Sequence, residues 1–78
     1  MTTILIIDDE LDMRNLIEVM LLKSNFRTLT AENGQQAYEI LTNEEVDLIL
    51  LDVMMPEEDG FQVCTKIRFT SDVPIIFL

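Results

Sequence analysis

The sequence LILLD (Leu48–Asp52) places four consecutive large apolar residues directly before a carboxylate. A strand covered on one side would alternate apolar and polar residues. A continuous apolar run is typical of a strand buried on both faces, in the middle of a parallel sheet. Ligands of open α/β sheets bind at the carboxyl ends of the strands. Asp52, at the end of this run, is therefore the candidate reactive group.

A second apolar run, Ile4–Ile7, also ends in carboxylates, those of Asp8 and Asp9. If the first and third strands are neighbours, these two residues and Asp52 meet at one edge of the sheet. Three clustered carboxylates repel, so either one keeps its proton or a cation lies among them. Oxygen ligands without His or Cys nearby suit Mg²⁺. The chemistry that fits such a site is phosphoryl transfer, in which a carboxylate attacks in line.

Strand-like and helix-like patterns alternate along the chain as β-α-β-α-β-α-β. This alternation predicts an α/β fold, a doubly wound parallel sheet with right-handed crossovers and helices on both faces. Asn25 is expected to end the first helix in a left-handed conformation, and Asn33 with Gln36 resembles a capping box. The predicted helices are Leu11–Ser24, Gly34–Thr42 and Gly60–Phe69; the strands besides the two above are an edge strand, Phe26–Ala31, and a buried one, Val73–Leu78.

The composition excludes several classes of function. Fifteen acidic and five basic residues among 78 give a formal charge of −10, which argues against nucleic-acid binding by this stretch. The apolar runs are too short to cross a membrane. A single cysteine, Cys64, predicts a reducing, cytoplasmic setting and is interpreted as a core residue. The charge suits a cation site or a partner with basic residues.

Other interpretations of the acidic residues have to be weighed. An aspartate after a strand is more often a turn residue or a helix cap than a nucleophile. Glu57, Glu58 and Asp59 are interpreted as solvated loop charges. Asp52 and the Asp8–Asp9 pair each follow a buried apolar run of the same parallel sheet. Together they nevertheless favour a functional site. A phosphohydrolase with an aspartate nucleophile is disfavoured, because Met54 stands where its second aspartate would be.

Taken together, these motifs resemble the receiver domain of response regulators in two-component signalling. The resemblance covers the whole chain and implies a flavodoxin-like fold with strand order 2-1-3-4-5. It rests on Ile4–Glu10, Asn33–Gly34 with Ala37, Asp47–Pro56, Asp59–Gly60 and Val73–Leu78.

The resemblance also implies roles for individual residues. Asp52 would be the phosphoacceptor, with a phosphohistidine of a sensor histidine kinase or phosphotransfer protein as donor. Asp9 would bind Mg²⁺ directly, Asp8 mainly through water, and Met54 through its backbone carbonyl.

The chain departs from the family at its end, where the switch Ser/Thr, the Lys of the fifth strand, the fourth helix, the fifth strand and the fifth helix are absent. Residues 1–78 are thus expected to form an incomplete receiver domain, truncated after the fourth strand in the order 2-1-3-4. The alternative to a phosphoacceptor module is a folding or assembly fragment that at most binds metal. We expect the exposed fourth strand to pair with a second copy, to exchange segments, or to be covered by the rest of the parent protein.

Overall fold

Four parallel strands alternate with three helices in the computed structural model, which describes residues 1–78. The predicted elements are all present, with ends that differ by at most a few residues. The strands are β1 (Thr3–Ile7), β2 (Arg27–Ala31), β3 (Leu48–Leu51) and β4 (Ile75–Phe77); the helices are α1 (Leu11–Lys23), α2 (Gly34–Asn43) and α3 (Gly60–Arg68). No helix has the length and apolar content needed to cross a membrane.

The sheet has the order β2-β1-β3-β4, which confirms the prediction. β1 pairs with both β2 and β3, so that Ile7 lies beside Ala31 on one side and Leu51 on the other. All five residues of β1 are buried. This central position explains why its sequence is continuously apolar.

Helices cover the two faces of the sheet unequally. On one face, residues of α2 and α3 complete a core cluster with Leu5, Ile7, Ile49 and Leu51. On the other face α1 lies over β1 and β2 and has no fully buried residue. The expectation that β3 is buried on both faces is therefore only half right. Ile49 and Leu51 are buried, whereas Leu48 and Leu50, on the α1 face, are half-buried.

The interpretation of Val73–Leu78 as a buried strand is wrong, whereas the expectation that the fourth strand forms an exposed edge is confirmed. β4 is an edge strand of three residues, and Ile76 and Phe77 are 52% and 40% exposed. Val73 is the buried residue of this region, before β4 begins. The apolar sequence did not predict the exposure of β4, because the burial of an edge strand depends on what packs beside it.

Local hydrogen bonds set the ends of the helices. Asn25 has φ 66° and ends α1, as predicted. The Asn33 side chain accepts the N–H of Gln36, but the Gln36 side chain accepts the N–H of Glu32. The predicted capping box at α2 is therefore only half formed. A complete capping box occurs instead at α3, between Asp59 and Gln62.

Candidate functional site

Asp8 and Asp52 lie side by side at the carboxyl edge of the sheet. The N–H of Asp52 donates to the Ile7 carbonyl at 2.9 Å, and the N–H of Asp8 donates to the Ala31 carbonyl at 3.1 Å. The ladder of backbone hydrogen bonds thus extends to both aspartates. Each side chain is held by the rigid end of a strand pair and not by a free loop.

Carboxylate oxygens of Asp8, Asp9 and Asp52 lie within 4.8 Å of one another. Asp8 is buried, Asp52 half-buried and Asp9 exposed. Asp8 Oδ1 accepts the N–H of Glu10 at 2.9 Å, and Asp52 Oδ1 accepts the N–H of Met54 at 3.1 Å. The sequence predicted that these three side chains would meet, and they do. Met54 lies beside Asp52, with its own side chain 82% exposed.

No basic side chain neutralises this cluster, because none of the three ion pairs of the chain includes Asp8, Asp9 or Asp52. Burial is the main cause that raises the pKa of Asp52 above its ordinary 3.8. The Met54 N–H opposes that shift, and the charges of Asp8 and Asp9 add to it. Clustered carboxylates without a counter-charge are the kind of donor set that hard divalent cations bind.

The β3–α3 loop (residues 52–59) passes very close to the start of α3. The N–H of Gly60 donates to the Val53 carbonyl at 2.9 Å. A Cβ at position 60 would lie 2.5 Å from the Asp52 carbonyl oxygen and 2.8 Å from Val53 Cα. Glycine at position 60 therefore permits the close approach of helix and loop.

Two side chains near the site were not singled out by the sequence. Arg14 donates to the backbone carbonyl of Asp8 at 2.7 Å and approaches Glu32 at 4.0 Å. Glu58, interpreted as a solvated charge, is instead half-buried in an ion pair with Lys66. Asp59, interpreted in the same way, caps α3. The spacing of Asp59 and Gln62 before an apolar helix could have revealed the cap; the contacts of Arg14 and Glu58 carry no local signal.

A sequence profile of the response regulator receiver domain matches residues 4–78. The chain belongs to the response-regulator receiver family. Among similar proteins, the probable transcriptional regulator ycf27 of Cyanidium caldarium is 47% identical over 75 residues, which are 96% of this chain and 30% of that protein. The transcriptional regulatory protein SrrA of Staphylococcus aureus is also 47% identical, over 96% of this chain and 31% of its own length.

Solved receiver structures have the same fold. The Vibrio cholerae chemotaxis protein CheY4 matches with a TM-score of 0.95 at 28% identity, over 99% of this chain and 67% of that one. The Thermotoga maritima response regulator TrrA, in complex with Mg²⁺-BeF, matches with a TM-score of 0.88 at 32% identity, over 99% and 66%. This receiver chain thus spans about a third of the length of the curated relatives it matches.

Proposed function

We propose that this receiver domain is a phosphoacceptor module of a two-component phosphorelay. Asp52 accepts the phosphoryl group, while Mg²⁺ is held by Asp8, Asp9, Asp52 and the backbone carbonyl of Met54. The observation that carries this proposal is the group of three carboxylates within 4.8 Å, without a basic partner, at the carboxyl edge of the sheet. Family membership and the named relatives support it.

The reaction needs one oxygen of Asp52 to be free. Oδ1 accepts the Met54 N–H, which leaves Oδ2 to attack the phosphorus in line. A bond from Oδ2 to phosphorus forms while the bond from phosphorus to the donor's imidazole nitrogen breaks, and that electron pair stays on the imidazole. Bound Mg²⁺ would neutralise charge on the phosphoryl oxygens. Burial and the charges of Asp8 and Asp9 raise the pKa of Asp52 in the metal-free site, and a bound Mg²⁺ would favour the ionised form that attacks.

The partner in this proposal is a sensor histidine kinase or a phosphotransfer protein of the cytoplasm. The chain itself is a regulatory acceptor and not an enzyme, because Asp52 is consumed once per transfer. Relatives described as transcriptional regulators support a regulatory role. We also propose that the fourth helix, fifth strand and fifth helix of the family complete the domain in the parent protein.

A second candidate function is that of an assembly fragment without phosphorylation. The observation in its favour is the exposed edge strand β4, with Ile76 and Leu78 about half exposed. Through this strand the chain would pair with a second copy. Transfer of a phosphoryl group to the chain distinguishes the two candidate functions.

The experiment measures intact mass after incubation with a small-molecule acyl phosphate. We expect a gain of one phosphoryl group that requires Mg²⁺ and disappears in Asp52→Asn. In the 78-residue polypeptide taken alone the reaction should be slow, because this stretch does not include the Lys and the hydroxyl with which the family contacts the phosphoryl group. Asp72→Asn is the matched control: Asp72 is exposed and outside the three ion pairs, so this variant should be labelled like the wild type. Equal labelling of Asp52→Asn would contradict the proposal.

Calorimetric titration with Mg²⁺ tests the metal separately. Binding should be weak in the wild type and lost in both Asp52→Asn and Asp9→Ala, because each removes a carboxylate of the cluster. Equal heats in all three proteins would remove the metal from the proposal.

A further inference from the structure

Glu58 connects the β3–α3 loop to both helices on that face of the sheet. Its Oε1 accepts a hydrogen bond from the Tyr38 hydroxyl of α2 at 3.0 Å, and its Oε2 forms an ion pair with Lys66 of α3. The Lys66 ammonium also lies 5.9 Å from the centre of the Tyr38 ring. Three side chains from three segments therefore form one closed set of contacts, which we call the Glu58 cluster.

Glu58 is the less exposed end of its ion pair, since the Lys66 side chain is 59% exposed. The side chain of Glu58 is only 22% exposed. A Cβ added to Gly34, at the start of α2, would collide with Glu58 Oε1 and lie 3.1 Å from the Tyr38 hydroxyl. The Lys66 hydrogen bond is the main cause that lowers the pKa of Glu58, so the carboxylate stays ionised at neutral pH. Contacts with Gly34, Tyr38 and Lys66 thus restrict the Glu58 carboxylate to one position.

The loop that carries Glu58 also carries the backbone amide that donates to the reactive carboxylate. Met54 donates its N–H to Asp52 Oδ1, and Val53 accepts the N–H of Gly60. One open groove of about 610 Å³ is lined by all three residues of the Glu58 cluster and, from the acidic site, by Asp9 alone. Glu58 and the Met54 amide thus belong to the same loop, four residues apart.

We propose that Glu58 is a positioning residue: its contacts with Tyr38 and Lys66 hold the β3–α3 loop so that the Met54 amide stays at Asp52, and thereby set the metal affinity of the acidic site. The statement on metal affinity rests on the proposed function. The statement on the loop does not.

A substitution of Lys66 tests this proposal, because the loop mechanism and simple electrostatics predict opposite changes in Mg²⁺ affinity. Replacing Lys66 by Met removes a positive charge and keeps most of the apolar stem. By charge alone, a more acidic protein should bind Mg²⁺ more tightly. If the Glu58 cluster holds the loop, the same variant should bind Mg²⁺ more weakly, because the loop is released.

The experiment measures Mg²⁺ dissociation constants by calorimetry for the wild type, Glu58→Gln and Lys66→Met. Far-UV circular dichroism establishes that each protein is fully folded under the same conditions. We expect both variants to weaken binding about tenfold, the low end for partners that orient metal ligands. Glu57→Gln is the matched control, with the same charge change in the same loop. Glu57 is exposed and outside the three ion pairs, so screening should keep its effect below about twofold.

Backbone amide relaxation of residues 53–59 other than Pro56, recorded without metal, measures the loop directly. We expect order parameters of about 0.85 in the wild type and Glu57→Gln, and below about 0.6 in Glu58→Gln and Lys66→Met. A rigid loop in both variants, or tighter Mg²⁺ binding by Lys66→Met, would overturn the proposal. A wild type that binds no Mg²⁺ would overturn the proposed function instead, and the order parameters would still decide the role of Glu58.

Discussion

Asp52 lies where burial and two neighbouring charges all favour its protonated form. In the unfolded chain these influences vanish, so the carboxyl loses its proton more easily there. Between the unfolded pKa of 3.8 and the higher folded value, the folded state binds more protons than the unfolded state. Stability therefore falls as the pH rises through this window. The ionised aspartate is destabilising at neutral pH, as expected of a group retained for chemistry.

We predict that Asp52→Asn raises the free energy of unfolding at pH 7. The gain should shrink as the pH falls through the folded pKa and disappear below 3.8, where the wild-type carboxyl is protonated in both states. Urea denaturation across this range measures the effect, and Asp72→Asn should show no such gain. Mg²⁺ at a hundred times its dissociation constant should stabilise the wild type by about 2.7 kcal/mol and not Asp52→Asn. Lower stability of Asp52→Asn at pH 7 would contradict the electrostatic account.

Tyr38 reports on the Glu58 cluster because it is the only tyrosine of the chain. Burial, followed by the hydrogen bond and charge of Glu58, raises the pKa of Tyr38 to about 12. A donated O–H and a nearby negative charge both disfavour the phenolate. We predict that Glu58→Gln moves the titration toward the ordinary value of 10.0, without reaching it, since the burial remains.

Ultraviolet absorbance of the tyrosinate follows this titration, with circular dichroism recorded in parallel to exclude unfolding. Stability attributable to Tyr38 should be present below pH 10.0 and decline toward pH 12. The same midpoint in wild type and Glu58→Gln would mean that the two side chains are not in contact.

The sequence alone predicts the acidic site but not the Glu58 cluster. Asp8, Asp9 and Asp52 could be predicted to meet, because parallel strands bring their carboxyl ends to one edge. Glu58 could not be paired with Tyr38, because the two are 20 residues apart on segments whose relative rotation no local pattern specifies. Without knowledge of that contact, Glu58 is interpreted as a solvated charge of the loop.

At the scale of elements, the order of strands and helices follows from the alternation of apolar runs and helical periods. The degree of burial does not. β1 and β3 have similar sequences, yet β1 is buried throughout and β3 has one half-buried face. The difference arises because α1 lies over β1 and β2. Burial is a property of what packs on a strand, and a single strand's sequence leaves that open.

Gly60, where the β3–α3 loop meets α3, allows a prediction about the direction of a change in stability. Alanine usually stabilises a helix relative to glycine by about 0.5–1 kcal/mol. Gly60 does not have positive φ, so its backbone conformation tolerates alanine. The new Cβ would nevertheless lie 2.5 Å from the Asp52 carbonyl oxygen, and backbone atoms cannot move aside as a side chain can.

We therefore predict that Gly60→Ala destabilises the protein by about 1–3 kcal/mol, the usual cost of overpacking. It should also weaken Mg²⁺ binding, because the displaced backbone is that of Asp52 itself. Urea denaturation and calorimetry measure the two effects. Thr65→Ala, at an exposed position of α3, should change stability by no more than about 0.5 kcal/mol. An unchanged or more stable Gly60→Ala would show that helix and loop separate without cost.

At the scale of the whole molecule, apolar surface and charge oppose each other. The outer edge of β4 has unpaired backbone groups, and Ile76 and Leu78 are 52% and 51% exposed beside it. On the face that α1 occupies, Leu16 and Met20 are 56% and 61% exposed. Such edges and patches promote association. The formal charge of −10 acts against association of like copies.

We predict that the apolar edge prevails and that the 78-residue polypeptide self-associates at micromolar concentration. A two-fold axis beside β4 would pair the strand antiparallel with its copy, so both edges would be satisfied by one contact. Ile76→Lys should shift the protein toward monomer, because a lysine at an edge strand blocks pairing. Thr30→Lys, exposed on the opposite edge strand β2, is the matched control. Both variants reduce the net negative charge equally, so charge alone would increase association in both. Sedimentation equilibrium distinguishes the cases, and a cooperatively melting wild-type monomer at these concentrations would contradict pairing through β4.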